Sequence, residues 1–213
     1  MGFGQGIVLQ RPLPAFFESW QALSSEVWTI TNPAIGGDWG MVIEDEVYMN
    51  ASPSPSEIAR LATNSFWTMR PTLWNSRHIY RKLSAEWEMT LTGVVNLDET
   101  TTFFGFGYLA TTRASINIAG FAILADALQT VTDRLSVETV NTGFGEDLTV
   151  KNKFKIEVSE NSIKFYLNEI LIANHITDLP DYGVTLYFHL ATTASGIATI
   201  RLGPVRIWYG DTS

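Results

Sequence analysis

Val150–Ala173 reads VKNKFKIEVSENSIKFYLNEILIA, and its alternation decides the fold. Val150, Phe154, Ile156 and Val158 are apolar, with Lys153, Lys155 and Glu157 between them. A turn follows at Ser159–Ser162. Ile163, Phe165 and Leu167 then alternate with Lys164, Tyr166 and Asn168, and a second turn at Asn168-Glu169 leads into Ile170–Ala173. Successive side chains of a strand point to opposite faces, so a period of two bounded by Asn and Ser marks half-buried antiparallel strands. The stretch predicts three consecutive strands, a meander with one wet face.

The run KFKIEV, NSIKFYLNE and LIA, Lys153–Ala173, resembles the late strands of concanavalin A-like sandwiches, the superfamily of lectins, glucanases and laminin G-like domains. The likeness extends from about Trp28 to Tyr209. It implies two packed antiparallel sheets. It carries no activity with it, because one fold hosts lectins, hydrolases and structural modules.

Outward from the meander the same signals recur. Leu83, Ala85, Trp87, Met89 and Leu91 alternate with Ser84, Glu86, Glu88, Thr90 and Thr92. Phe103–Ala110 carries Gly105 and Gly107 on one face, a mark of close backbone approach. Trp39–Ile43 and Val47–Asn50 read as a hairpin with Glu44-Asp45-Glu46 at its tip, and Ile116–Ala125, Gln129–Val140, Val184–Ala191, Ile197–Leu202 and Val205–Tyr209 read as strands. Ser54, Pro55 and Glu57 form a capping-box signal that predicts one short helix over Pro55–Thr63. The expected architecture is all-β: a two-sheet antiparallel jelly-roll-like sandwich of about twelve to fourteen strands with one short helix. Residues 26–213 are expected to form one domain, with 1–25 as an N-terminal arm or edge segment. Phe3, Ile7 and Leu9 are the apolar residues with which the arm would pack on a neighbouring subunit.

Composition narrows the function. A formal net charge of −8 argues against nucleic-acid binding, which depends on basic surface. The absence of cysteine excludes a disulfide scaffold, a thiol nucleophile and a thiolate metal site. No apolar run approaches the roughly 20 residues of a membrane span, and the first residues have neither the basic nor the apolar region of a signal peptide. The histidines, His78, His175 and His189, show no metal-binding spacing. No cofactor is expected. Structural calcium on loop oxygens such as Asp38, Asp98, Asp147 or Asp178 is left open.

Two constellations remain. Glu86 and Glu88 project from one strand face, as the paired carboxylates of a glycan hydrolase or lyase would. The Glu-x-Asp-x-Glu and Glu-x-Asp-x-x-Glu patterns of the laminarinase-type hydrolases of this fold are absent, and a solvated sheet face explains the pair equally well. The second lies in Arg60–Lys82. It gathers five of the 14 basic residues, holds Trp67, Arg70, Trp74, Arg77 and Tyr80, and has no acidic residue. Such residues mark recognition surfaces, although tryptophans that merely close the end of a sandwich would look the same. The expectation is therefore a non-catalytic lectin-like module on a virion or extracellular surface: a capsid decoration, tail or receptor-binding component partnered by its own subunits or other structural proteins. The alternatives are a carbohydrate-binding module and a glycan hydrolase or lyase on Glu86 and Glu88.

Overall fold

In the computed structural model, residues 16–18, 28–31, 38–42, 46–51, 58–64, 67–68, 82–98, 101–107, 117–134, 137–180, 183–193 and 196–210 are described. They form sixteen strands. These are β1 (Phe16–Glu18), β2 (Trp28–Thr31), β3 (Asp38–Val42), β4 (Glu46–Ala51), β5 (Ile58–Thr63), β6 (Trp67–Thr68), β7 (Lys82–Thr92) and β8 (Phe103–Gly107). The rest are β9 (Ile118–Leu124), β10 (Ala127–Arg134), β11 (Val137–Phe144), β12 (Asn152–Ser159), β13 (Ile163–Leu167), β14 (Ile170–His175), β15 (Gly183–Ala191) and β16 (Ala198–Gly210). The one helical element among the described residues is a 3₁₀ turn at Val94–Asn96.

Two antiparallel sheets result. The first runs β14-β13-β12-β7-β16-β4-β3, with β1 also on β16. The second runs β11-β10-β9-β8-β15-β5-β2, with β6 also on β15. The all-β two-sheet sandwich is as the sequence implies, and the meander is its outer three strands, β12 to β14. Three details depart from expectation. Residues 58–63 are strand β5, not the end of a helix: Ala59 and Leu61 point into the core while the strand pairs with both β2 and β15. Sheet pairing on both edges outweighs a local capping signal, which is itself outside the described residues. The single strand expected over Gln129–Val140 is two, β10 and β11, joined as a hairpin. The strand count accordingly exceeds the expected range.

The core lies between the sheets. From the first sheet β7 sends in Leu83, Ala85, Trp87, Met89 and Leu91, each essentially inaccessible. Trp87 stacks on Phe154 at 5.9 Å and takes Phe121 and Phe188 edge-on at 5.8 and 5.4 Å. Phe121 in turn meets Phe154 at 5.1 Å and Phe165 at 5.5 Å. Such offset and edge-on pairs add to the area that large rings bury. These five rings come from β7, β9, β12, β13 and β15, so one cluster ties both sheets together.

Trp87→Ala would empty the centre of that cluster. It is expected to cost about 3–5 kcal/mol, read from denaturant midpoints. Trp87→Phe keeps the aromatic contact and drops an indole N–H that has no partner, so its loss should be clearly smaller.

Candidate functional site

The outward faces of the two sheets differ. That of the first is polar and partly wet. Glu86, Glu88 and Thr90 project from β7, flanked by Lys153, Lys155 and Glu157 on β12 and by Arg201, Arg206 and Trp208 on β16. Register sets Lys155 and Arg206 on either side of Glu86, and Lys153 beside Glu88. Opposite Glu88 the β7–β16 register shifts at Gly203-Pro204. The Glu88 side chain lies over Gly203, where an added Cβ would sit 3.1 Å from the Glu88 Cβ.

Two residues of strand rise separate Glu86 from Glu88 by about 6.7 Å. They are the only carboxylates two residues apart in a strand among the described residues. Glu86 is largely covered and takes an ion pair from Lys153 at 3.3 Å. Glu88 is 43% exposed and meets Lys151 at 3.9 Å, while Lys151 is closer, at 2.6 Å, to Glu46. Burial presses the Lys153 ammonium down, but Glu86 and Glu169 outweigh it and hold it above its ordinary value. Glu157 closes the row: burial pushes its carboxyl up, yet Lys155 and Lys82 at 2.6 and 2.7 Å hold it below the ordinary range. The Tyr166 hydroxyl donates to Glu157 at 3.0 Å. Lys155 sits between two rings, 5.1 Å from Tyr166 and 5.8 Å from Trp208. The result is a pair of carboxylates at mid-sheet, set among ammonium groups with aromatic rings beside them.

The outward face of the second sheet is covered. One row reads Arg60, His189, Phe103, Ala122 and Gln129 across five strands. The next reads Ala62, Tyr187, Gly105, Gly120 and Val131. Ala62, Phe103, Ile118, Ala122, Val131 and Tyr187 make a second apolar cluster there. The Phe103 ring lies over Gly120, so a side chain at 120 would collide with it, and Gly105 has a φ of +154° that other residues rarely adopt. His189 is buried with neither ring nitrogen hydrogen-bonded. Burial, with Arg60 adding and Asp98 opposing, depresses it to about 4.

His175 lies between the sheets. Thr130 and Thr132 of β10 hold its Nε2 and Nδ1 at 2.9 and 2.8 Å, and Phe165 lies 4.9 Å away. A neutral ring satisfies both contacts, donating once and accepting once. Burial depresses His175 to about 4.

Of the five site residues expected in the basic aromatic stretch, only Trp67 is among the described residues. Trp67 belongs to β6 of the second sheet, and Glu86 and Glu88 to the first. Arg70, Trp74, Arg77 and Tyr80 lie outside the described residues, as do Phe3, Ile7, Leu9 and His78. Of the candidate calcium ligands, Asp147 accepts from Thr149 at 2.6 Å and Asp178 from Thr139 at 2.6 Å. No group of three or more His, Cys, Asp or Glu among the described residues could hold a metal ion. Sequence reasoning overlooked Tyr166, Trp208 and the Arg60–His189–Tyr187 group. The alternation of Arg206 and Trp208 was readable, but only pairing shows which strands lie side by side.

No protein-family model matches the chain, and no curated protein matches it by sequence. Solved structures match in fold, that of the concanavalin A-like sandwiches. A glycosyl hydrolase family 16 protein from Mycobacterium smegmatis superposes with a TM-score of 0.68 at 12% identity, over 92% of this chain and 100% of that one. The beta-glucanase of Bacillus licheniformis gives 0.61 at 13% identity, over 92% and 98%. A ganglioside-dependent botulinum neurotoxin type C structure gives 0.54 at 11%, over 89% of this chain but 44% of that one. The first two are hydrolases matched over nearly their whole length. That corrects the expectation of a non-catalytic virion-surface module, for which the comparisons give no support, and with it the expectation that the chain is no enzyme.

Both buried histidines are depressed below their ordinary 6.5, so the unfolded chain binds protons that the folded one refuses. Their contribution to stability is full above about pH 6.5 and is lost as pH falls toward 4, on the order of 3 kcal/mol for each. Chemical denaturation at pH 8, 6.5 and 4.5 should show the decline. A His175→Gln, His189→Gln double variant should show a shallower one.

Proposed function

We propose that this protein acts on glycans by hydrolysing a glycosidic bond, with Glu86 and Glu88 as the reacting carboxyl groups. One observation carries the reading: two glutamates leave the same face of β7, the fourth of seven strands in its sheet path. Glycoside hydrolysis needs two carboxyl groups about 5–9.5 Å apart, and alternate strand residues, with Cα atoms about 6.7 Å apart, can carry their carboxyl groups at such a separation. The hydrolases that the fold resembles support the substrate class.

The roles follow from the surroundings. Glu86, covered and paired with Lys153, is assigned the position facing the anomeric carbon as positive charge develops there. Glu88, the more open of the two, is assigned the position facing the leaving oxygen, to which it would give a proton. A water supplies the new hydroxyl. The C–O bond breaks as the sugar's anomeric carbon gains that oxygen, and the proton given up by the acid is recovered from the water. Tyr166 and Trp208 offer ring faces for sugars. Thr90 stands two residues beyond Glu88 on the same face, so the reaction rests on two carboxylates without a third.

The test is release of new reducing ends from a panel of β-glucans and mucin-type O-glycans. Wild type is expected to cleave at least one. Glu86→Gln and Glu88→Gln should each lower the rate by about 10²–10⁴-fold with unchanged unfolding midpoints. Binding without cleavage, or full activity in both variants, would overturn hydrolysis at this pair; the first outcome would leave the carbohydrate-binding reading.

A further inference from the structure

Strand β14 ends the first sheet, and among the described residues nothing pairs with its outer edge. Natural sheets guard such edges with charge, proline or a covering segment, because unpaired N–H and C=O groups attract another strand. Ile170–Thr177, ILIANHIT, contains no Asp, Glu, Lys, Arg or Pro. Ile170, Leu171 and Ile176 are 64%, 50% and 68% exposed, three of the five large apolar side chains exposed on the described surface.

The edge is also held in place. At one end Asn168 and Glu169 form a turn with positive φ. The Asn168 side chain accepts from the Lys153 N–H at 2.9 Å and donates to Asn152 at 2.8 Å. At the other end His175 is fixed by Thr130 and Thr132. An edge already ordered loses little entropy on pairing.

We propose that β14 is a dimerisation edge, and that its occupant is β14 of a second copy of this chain, paired antiparallel about a two-fold axis. The distribution of apolar residues suits this occupant. Leu171 stands near the start of β14 and Ile176 just past its end, both on the outward face, so an antiparallel arrangement brings Leu171 of one copy beside Ile176 of the other, twice, as an isologous contact requires. Charge points the same way. Two chains of net charge −8 repel over most of their surfaces, and an uncharged edge is where their approach costs least. Backbone bonds across the axis extend one sheet through both copies. The mode is strand addition, with the partner's strand supplying the donors and acceptors.

The full chain is followed by size exclusion with light scattering and by sedimentation, from about 1 to about 100 µM. A concentration-dependent dimer is expected. Leu171→Lys with Ile176→Lys should weaken it by at least about 100-fold while leaving circular dichroism and the unfolding midpoint unchanged. A monomer throughout, an open-ended polymer, or a dimer that the double variant leaves intact would each overturn the proposal. Should the variant misfold, amide hydrogen exchange on the wild type replaces it: protection at 170–176 is expected to rise with protein concentration, and protection independent of concentration counts against the edge.

Discussion

Everything else in the structure depends on Trp87 being buried among Phe121, Phe154, Phe165 and Phe188. Strand alternation is strict, so fixing Trp87 inward fixes Glu86 and Glu88 outward; a slip of one residue would bury two carboxylates and expose an indole. The strand is bonded on both sides, to β12 and β16, so the glutamates stand on an element with little freedom. The same constraint builds the core and presents the candidate reacting groups.

The two sheets use their outward faces differently. That of the first is a mesh of ion pairs in which Glu86, Glu88 and Glu157 are interleaved with Lys82, Lys151, Lys153 and Lys155. The exposed pair of Lys151 and Glu88 contributes little to stability, and the mesh as a whole sets the charge around the carboxylates. The second carries a further apolar cluster and buried polar groups, among them His189 and Gln129 with atoms that make no hydrogen bond. Leaving such groups unpaired costs free energy.

The fold was largely legible. Alternation in Leu83–Thr92 and Val150–Ala173 named the strands, and the burial of Trp87, Phe154, Ile156, Phe165 and Leu167 follows it. What escaped was non-local. Ile58–Thr63 carries a helix-start signal nearby, and only its pairing with β15 and β2 makes it a strand. Which outward residues meet was equally hidden: Lys155 and Arg206 flank Glu86 because β12 and β16, more than 60 residues away along the chain, pair with β7. The site was legible as a spacing, Glu86 and Glu88, but not as an environment. The pull of Arg60–Lys82 came from composition, which reports what residues are suited to and not where they stand.

The pairing of β1 with β16 has a consequence for biosynthesis. Phe16–Glu18 finds its partner in Val205–Ile207, and β16 is also the strand that joins β7 to β4. Strand β15 has the same position in the second sheet, between β8 and β5. Neither sheet can close until residues 183–210 have left the ribosome. Until then β4, β5, β7 and β8 each wait with an unfilled side. Non-local pairing of this kind folds slowly, so these strand edges stay open through most of the chain's synthesis.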